Sequence, residues 1–274
     1  QAPEADPVTL IRRVSLDLTG LPPAPDDIKA YAANPTKKAY ASYVDRLLAS
    51  DAHAERMSVW WLDQVRYADT VGFHGDQNHN AWPYRDWVIN AFKANMPFDR
   101  FTIEQIGGDL LPNATIEQLV ATGYNRCLPT TGEGGAISEE VMTNYAKDQV
   151  ETLGAVWLGL TSGCAACHDH KFDPISQKEF YAMAAFFRNT SMSALDGNNA
   201  NHPPSMLVAR PEDRVKQAEL DTVLAALKKD DAWLVGCHIS PYTEANRENH
   251  EPRRERRLLL HVHELSKLRK ATTL

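Results

Sequence analysis

The sequence predicts a mainly α-helical fold, an irregular multi-helix domain with long loops. Three observations carry that prediction. Apolar residues recur at three- and four-residue spacing in segment after segment. No stretch shows a persuasive strand-period alternation. Proline and glycine mark most of the breaks between the periodic segments.

Leu10, Ile11, Val14 and Leu18 form the first helical stripe, broken by Gly20, Pro22, Pro23 and Pro25. Asp26 or Asp27 can cap a short helix through Tyr31. Tyr40, Val44, Leu47 and Leu48 give a third stripe, and Trp60, Trp61, Val65 and Tyr67 a fourth. Val71 to Ala81 is polar and reads as a loop holding His74 and His79. Pro83 suits the first turn of the next helix, which runs through Trp87, Val88 and Phe92 and stops at Pro97. Phe98 to Ile106 is a short helix ended by Gly107 and Gly108, and Ile116 to Tyr124 is another. After a glycine-rich loop from Thr130 to Gly135, Ser138 with Glu139 and Glu140 opens a long helix to about Leu160. Gln177 to Phe187 is helical again. There is no internal repeat and no low-complexity tract.

The 274 residues are enough to bury a real core, and 43% hydrophobic with 24% charged residues is ordinary for a globular protein. A net charge of -7 gives no electrostatic reason to bind nucleic acid or an anionic membrane. The apolar run from Leu153 to Leu160 is far shorter than the roughly 20 residues of a membrane helix, so no membrane span is expected. The chain opens at Gln1 without an initiator Met, and is read as a processed chain or a piece of a longer one. Four cysteines are too few for a disulfide scaffold. Cys127 and Cys237 are isolated, but Cys164 and Cys167 are three apart and need a chemical explanation.

Cys164-Ala165-Ala166-Cys167-His168 fits C-x-x-C-H, the attachment signature of c-type haem. Two thiols on one turn of chain can add to the two haem vinyl groups, and the adjacent His168 then lies under the iron as proximal ligand. Ala165 and Ala166 are small and would not crowd the porphyrin edge. At this chain's cysteine and histidine content, chance would produce about 0.002 such matches. Two chemical alternatives stay open: half a zinc site, with His170 as third ligand, and a dithiol redox pair.

Around this motif the sequence resembles a known family. Cys164 to Ile175 reads CAACHDHKFDPI, followed by the helical QKEFYAMAAFF. Upstream stand LIRRVSLDLTGLPP (Leu10 to Pro23), WLDQVRYADTVGFHGDQ (Trp61 to Gln77), PYRDWVINAF (Pro83 to Phe92), MPFDRFTIEQIGGDLLPN (Met96 to Asn113) and EGG (Glu133 to Gly135). In this order they resemble the second planctomycete-type cytochrome domain family, large exported proteins of unknown function, over about Asp6 to Pro204. The resemblance implies a haem-binding domain with neighbouring cytochrome or other redox domains in a longer parent chain. One departure is Asp148-Gln149, where the family pattern leads one to expect Asp-Arg.

Met and His are the usual sixth ligands of such an iron. His74, in a glycine-flanked loop, is the first candidate, with His79, Met142 and Met192 behind it. His170 is too close to His168 to reach the opposite face and is expected to bond locally. Asp169, Lys171 and Asp173 read as local salt bridges and a turn fixed by Pro174. Arg66 and Arg85 stand in compact polar sets and would clamp a haem propionate or an anionic substrate, or else form structural Arg-Asp pairs. Glu139 and Glu140 favour the helix N-terminus through its dipole.

The reading is therefore a domain over residues 1–231 built around one covalently attached haem c. It is an electron-transfer module of a periplasmic or otherwise exported redox protein. Alternatively it is a haem oxidoreductase with an open iron site, His74 and Arg66 serving as catalytic groups on an unknown small-molecule substrate. A zinc-binding structural domain is the third reading. Residues 232–274, with Arg253, Arg254, Arg256, Arg257, Arg269 and four His, form a basic tail of uncertain or non-native character to which no function is assigned.

Overall fold

A computed structural model describes residues 3–206 and 208–230. The 232–274 tail and Cys237 lie outside the described residues. The chain divides into two units, Gln1–Ser205 and Met206–Leu274. The first is mainly α-helical, as the spacing predicts. Among the described residues β-pairing is confined to two isolated bridges, Thr70 with Asn78 and Thr131 with Leu195.

Three helices open the first unit. α1 (Pro7–Thr19) starts where the Asp6 carboxylate accepts from the Val8 and Thr9 amides at 3.1 and 3.0 Å, and ends at Gly20 in the left-handed region. α2 (Pro25–Ala33) and α3 (Lys37–Leu48) close over it, so that Ile11, Tyr31 and Tyr43 share a small core.

The main core lies among α4 (Asp51–Gln64), α5 (Trp82–Lys93), α6 (Phe98–Gly107) and the short α7 (Ile116–Ala121). Tyr84, Trp87, Val88 and Phe101 fill it, and Trp87 stacks on Phe101 at 5.3 Å. Gln105 is fully buried inside this aromatic cluster. Its Oε1 accepts from Trp61 Nε1 at 2.8 Å and the Tyr84 hydroxyl at 2.7 Å, while its Nε2 donates to the Phe101 carbonyl. One satisfied amide thus ties α4, α5 and α6 together, where an unsatisfied one would cost about 1–3 kcal/mol.

α8 (Ser138–Leu153) and α9 (Gln177–Phe187) form the third core, with Ala146 and Val150 facing Phe180, Ala184 and Phe187. The long helix expected to reach Leu160 changes at Gly154: Gly154–Leu158 is a π turn, ended by Gly159 with φ +64°. In the second unit a 3-10 turn, Pro211–Asp213, leads into α10 (Arg214–Asp230), a helix the sequence reading did not assign.

Candidate haem-attachment turn

The motif is built on the platform that α8 and α9 supply. A 3-10 turn, Ser162–Ala166, follows the π turn, and the Ser162 hydroxyl donates back to the Val150 carbonyl of α8 at 3.4 Å. Ala165 is fully buried and Ala166 nearly so, both packed into the α8–α9 core. The two alanines therefore serve the packing of the α8–α9 core. Burying them leaves Cys164 and Cys167 on the solvent side, exposed and unpaired. The amides of Cys167 and His168 both donate to the Cys164 carbonyl, at 3.3 and 3.4 Å.

His168 is exposed, with its Nδ1 2.8 Å from the Asp169 carbonyl oxygen. A carbonyl can only accept, so Nδ1 carries the proton and the neutral ring keeps a lone pair on Nε2. That is the tautomer a metal-ligating histidine needs.

The segment after the motif is locked locally. The His170 side chain is 6% exposed, and its Nδ1 accepts from the Asp173 amide at 2.8 Å and the Phe172 amide at 3.3 Å. Asp169 accepts from the Gln177 amide at 2.8 Å, and Ser176 with Glu179 forms a capping box on α9. Gln177 Nε2 and the Tyr181 hydroxyl both donate to the Ala166 carbonyl. Among the described residues no three His, Cys, Asp or Glu side chains converge as metal ligands, so His170 does not complete a zinc site with the two thiols.

The other site candidates lie apart from this turn. His74 is exposed, with φ +50°, in a loop held by Val71 and Gln77 backbone pairing and by Asn80 bonding to Ala200 and Asn201. Arg66 grips Asp148 of α8 through both fork nitrogens at 2.6 Å and also bonds Thr152, which is the structural Arg-Asp reading rather than a ligand clamp. Arg85 pairs with its neighbour Asp86 at 2.9 Å. Met192 is core filling beside Leu128 and Tyr145, with Met142 packed against them.

Sequence reasoning missed a buried polar network in the closing loop. Asp196 accepts from the Thr130 hydroxyl at 2.6 Å and the Asn198 amide at 2.8 Å. His202 meets the Ser193 hydroxyl at 2.7 Å and its carbonyl accepts from Arg126. It also missed the α8–α9 groove, although Tyr181 and Arg188, seven residues apart, share one helix face and were legible as such.

Fold and turn together define a helical domain that presents a C-x-x-C-H motif to solvent from an all-helical platform. The chain belongs to the family described as PSCyt2, protein of unknown function (DUF1549), which matches residues 1–192. A second family, the SmpB protein, matches residues 213–274. Over 55 residues the chain is 49% identical to the SsrA-binding proteins of Syntrophobacter fumaroxidans and Geotalea uraniireducens, and over 59 residues 42% identical to that of Levilactobacillus brevis. These stretches are 20–22% of this chain and 34–38% of the relatives, so the chain spans about a third of the length of the curated relatives it matches. No solved structure is significantly similar to the chain.

The SmpB similarity corrects two expectations. The exclusion of a nucleic-acid partner does not stand, because the relatives are named for binding SsrA, an RNA. Whole-chain charge misled here: it averages an acidic helical domain with a stretch, residues 253–270, that holds seven Lys or Arg against Glu255 and Glu264. The expected neighbouring cytochrome or redox domain is overturned as well, since the segment beside the helical domain is SmpB-like. Haem and electron transfer therefore do not describe residues 213–274. Among the described residues no helix is long and apolar enough to cross a membrane.

Proposed function

We propose that the helical domain covalently attaches one c-type haem through Cys164 and Cys167, with His168 as the proximal iron ligand. The observation that carries this reading is the pair of exposed, unpaired thiols on one turn beside a histidine whose Nε2 is left free. Each thiol adds across one vinyl group. The sulfur bonds to the inner vinyl carbon, the thiol hydrogen goes to the outer one, and no oxidant is required. The bound haem supplies reversible iron chemistry. The chain's part is to fix the two sulfurs, orient His168 through the Asp169 carbonyl and hold the turn on α8 and α9. This reading requires export of the helical domain, because maturation of C-x-x-C-H takes place outside the cytoplasm.

The test is expression of the full chain with cytochrome c maturation machinery, acid-acetone extraction and a pyridine haemochrome spectrum. Retained haem with the c-type band is expected, lost in the Cys164→Ala/Cys167→Ala variant. Absence of retained haem beside a matured control cytochrome would sink the reading.

The similarity of residues 213–274 to SsrA-binding proteins favours a second, separate activity for that segment, which is binding of SsrA. A gel-shift titration of the full chain with SsrA against an unrelated RNA of equal length tests it. Equal affinity for both would remove the specific reading.

A further inference from the structure

Three loops meet at a group of oxygens away from the haem-attachment turn. Asp196 is buried, 4% exposed, with Oδ2 taken by the Thr130 hydroxyl and Oδ1 accepting from the Asn198 amide. Two glycines let further oxygens approach. A β-carbon on Gly132 would lie 2.8 Å from Asn198 Oδ1 and 2.9 Å from Asp196 Oδ1. One on Gly75 would lie 2.8 Å from the same Asn198 Oδ1 and 3.3 Å from Gln77 Oε1. One carboxylate oxygen and two side-chain amide oxygens are thus gathered from the closing loop and the Val71–Ala81 loop, against the Thr130–Gly135 loop.

Gln77 is the telling member. The residue is partly exposed, but its amide nitrogen and oxygen are both inaccessible to solvent and neither makes a hydrogen bond. The amide lies close enough to Asp196 to help hold that carboxyl ionised, yet not within hydrogen-bonding distance of it. A buried amide left in this way costs about 1–3 kcal/mol and calls for a water or an ion as its partner. Acceptors outnumber donors here. A water has only two protons to offer three oxygens, whereas a cation can face all three at once. With oxygen ligands alone, the set suits a hard cation.

We propose that Asp196 Oδ1, Asn198 Oδ1 and Gln77 Oε1 bind a calcium ion, which clamps the closing loop to the Val71–Ala81 loop. Calcium takes about six to eight oxygens in flexible geometry, so water completes the shell on the exposed Asn198 side; magnesium demands a near-ideal octahedron. A single carboxylate makes the affinity weak, about 0.1–1 mM. The site does not depend on the haem reading. It escapes a sequence reading because Asp196-Gly197-Asn198-Asn199 lacks the spaced acidic ligands of a calcium loop, and Gln77 comes from a loop far upstream.

The experiment uses the full chain, stripped with EDTA and dialysed. Thermal unfolding is followed by far-ultraviolet circular dichroism while calcium chloride or magnesium chloride is titrated in. The midpoint should begin to rise at about 0.1–1 mM calcium and gain about 3–10 °C by about 10 mM, with a smaller gain in magnesium. Asn198→Ala and Gln77→Leu should each lose the rise. Asn198 is exposed, so its variant decides the matter even where Gln77→Leu fails to fold. No rise with calcium, or a rise kept in Asn198→Ala, would overturn the site and assign the Gln77 amide to a buried water. Equal gains with both cations would overturn the choice of calcium.

Discussion

At the residue scale the chemistry of this protein is set by what buried neighbours leave exposed. Ala165 and Ala166 decide the direction of Cys164 and Cys167 by going inward themselves. One histidine of the Val71–Ala81 loop and one of the closing loop make a pH prediction. Burial lowers the pKa of His79 below its ordinary 6.5, and Arg126 lowers it further; burial and Arg126 act on His202 in the same direction. Both imidazoles are thus held neutral in the fold and take up protons more readily when it opens. Where the unfolded chain binds more protons, stability rises with pH. The contribution is complete above about pH 6.5 and is lost as pH falls through the lowered folded values. Urea unfolding of the helical domain should show a lower midpoint at pH 5.5 than at pH 7.5. The His79→Gln/His202→Gln variant should have a flatter profile between them; an equally steep profile would remove these two histidines as its cause. Asp196 belongs to the same loop as His202 but acts at lower pH. Burial opposes its ionisation, yet the Thr130 hydroxyl and Asn198 amide more than offset that and hold its pKa down.

At the element scale the helices are joined by approaches too close for a side chain. Gly108 is the sharpest case: a β-carbon there would lie 2.3 Å from the Gln118 carbonyl oxygen of α7, a backbone atom that cannot rotate away. Gly108→Ala should therefore push α7 off α6 and cost about 3 kcal/mol, the upper range for overpacking. Chemical denaturation measures this, and a cost near zero would show that the α6–α7 junction shifts freely. In the sequence Gly108 reads only as a helix stop; its close approach depends on α7, ten residues on, and no local pattern encodes it. Most other elements were legible. The stripes at Leu10, Tyr40 and Phe98 mark real helices, and Pro83 stands in the first turn of α5. The start of α4 was missed because Ser50 caps it ten residues before the Trp60–Trp61 stripe that signals it. The end of α8 was overrun because Ala155, Val156 and Trp157 keep a helical apolar pattern through a π turn. The site divides along the same line. The local spacing of Cys164, Cys167 and His168 was readable. The commitment of Arg66 to Asp148, 82 residues away, was not.

At the scale of the whole molecule the charge is segregated along the chain. The net -7 hides an acidic helical domain and the arginine-rich run at Arg253, Arg254, Arg256 and Arg257, within the segment similar to SsrA-binding proteins. Averaging is physically wrong for polyanion binding. Affinity depends on the cations that reach phosphates and release counterions, and distant carboxylates are screened beyond about 10 Å at 0.1 M salt. If residues 213–274 bind SsrA through this run, log affinity should fall linearly with log salt concentration. Each lost phosphate contact should reduce that slope by about 0.7–0.9. Arg253→Gln/Arg254→Gln should therefore weaken binding and flatten the slope by about 1.5, while leaving the unfolding midpoint of the helical domain unchanged. A weakened affinity with the original slope would mean that the two arginines act through local folding and not through phosphate. An unchanged affinity would place the RNA contact outside this run.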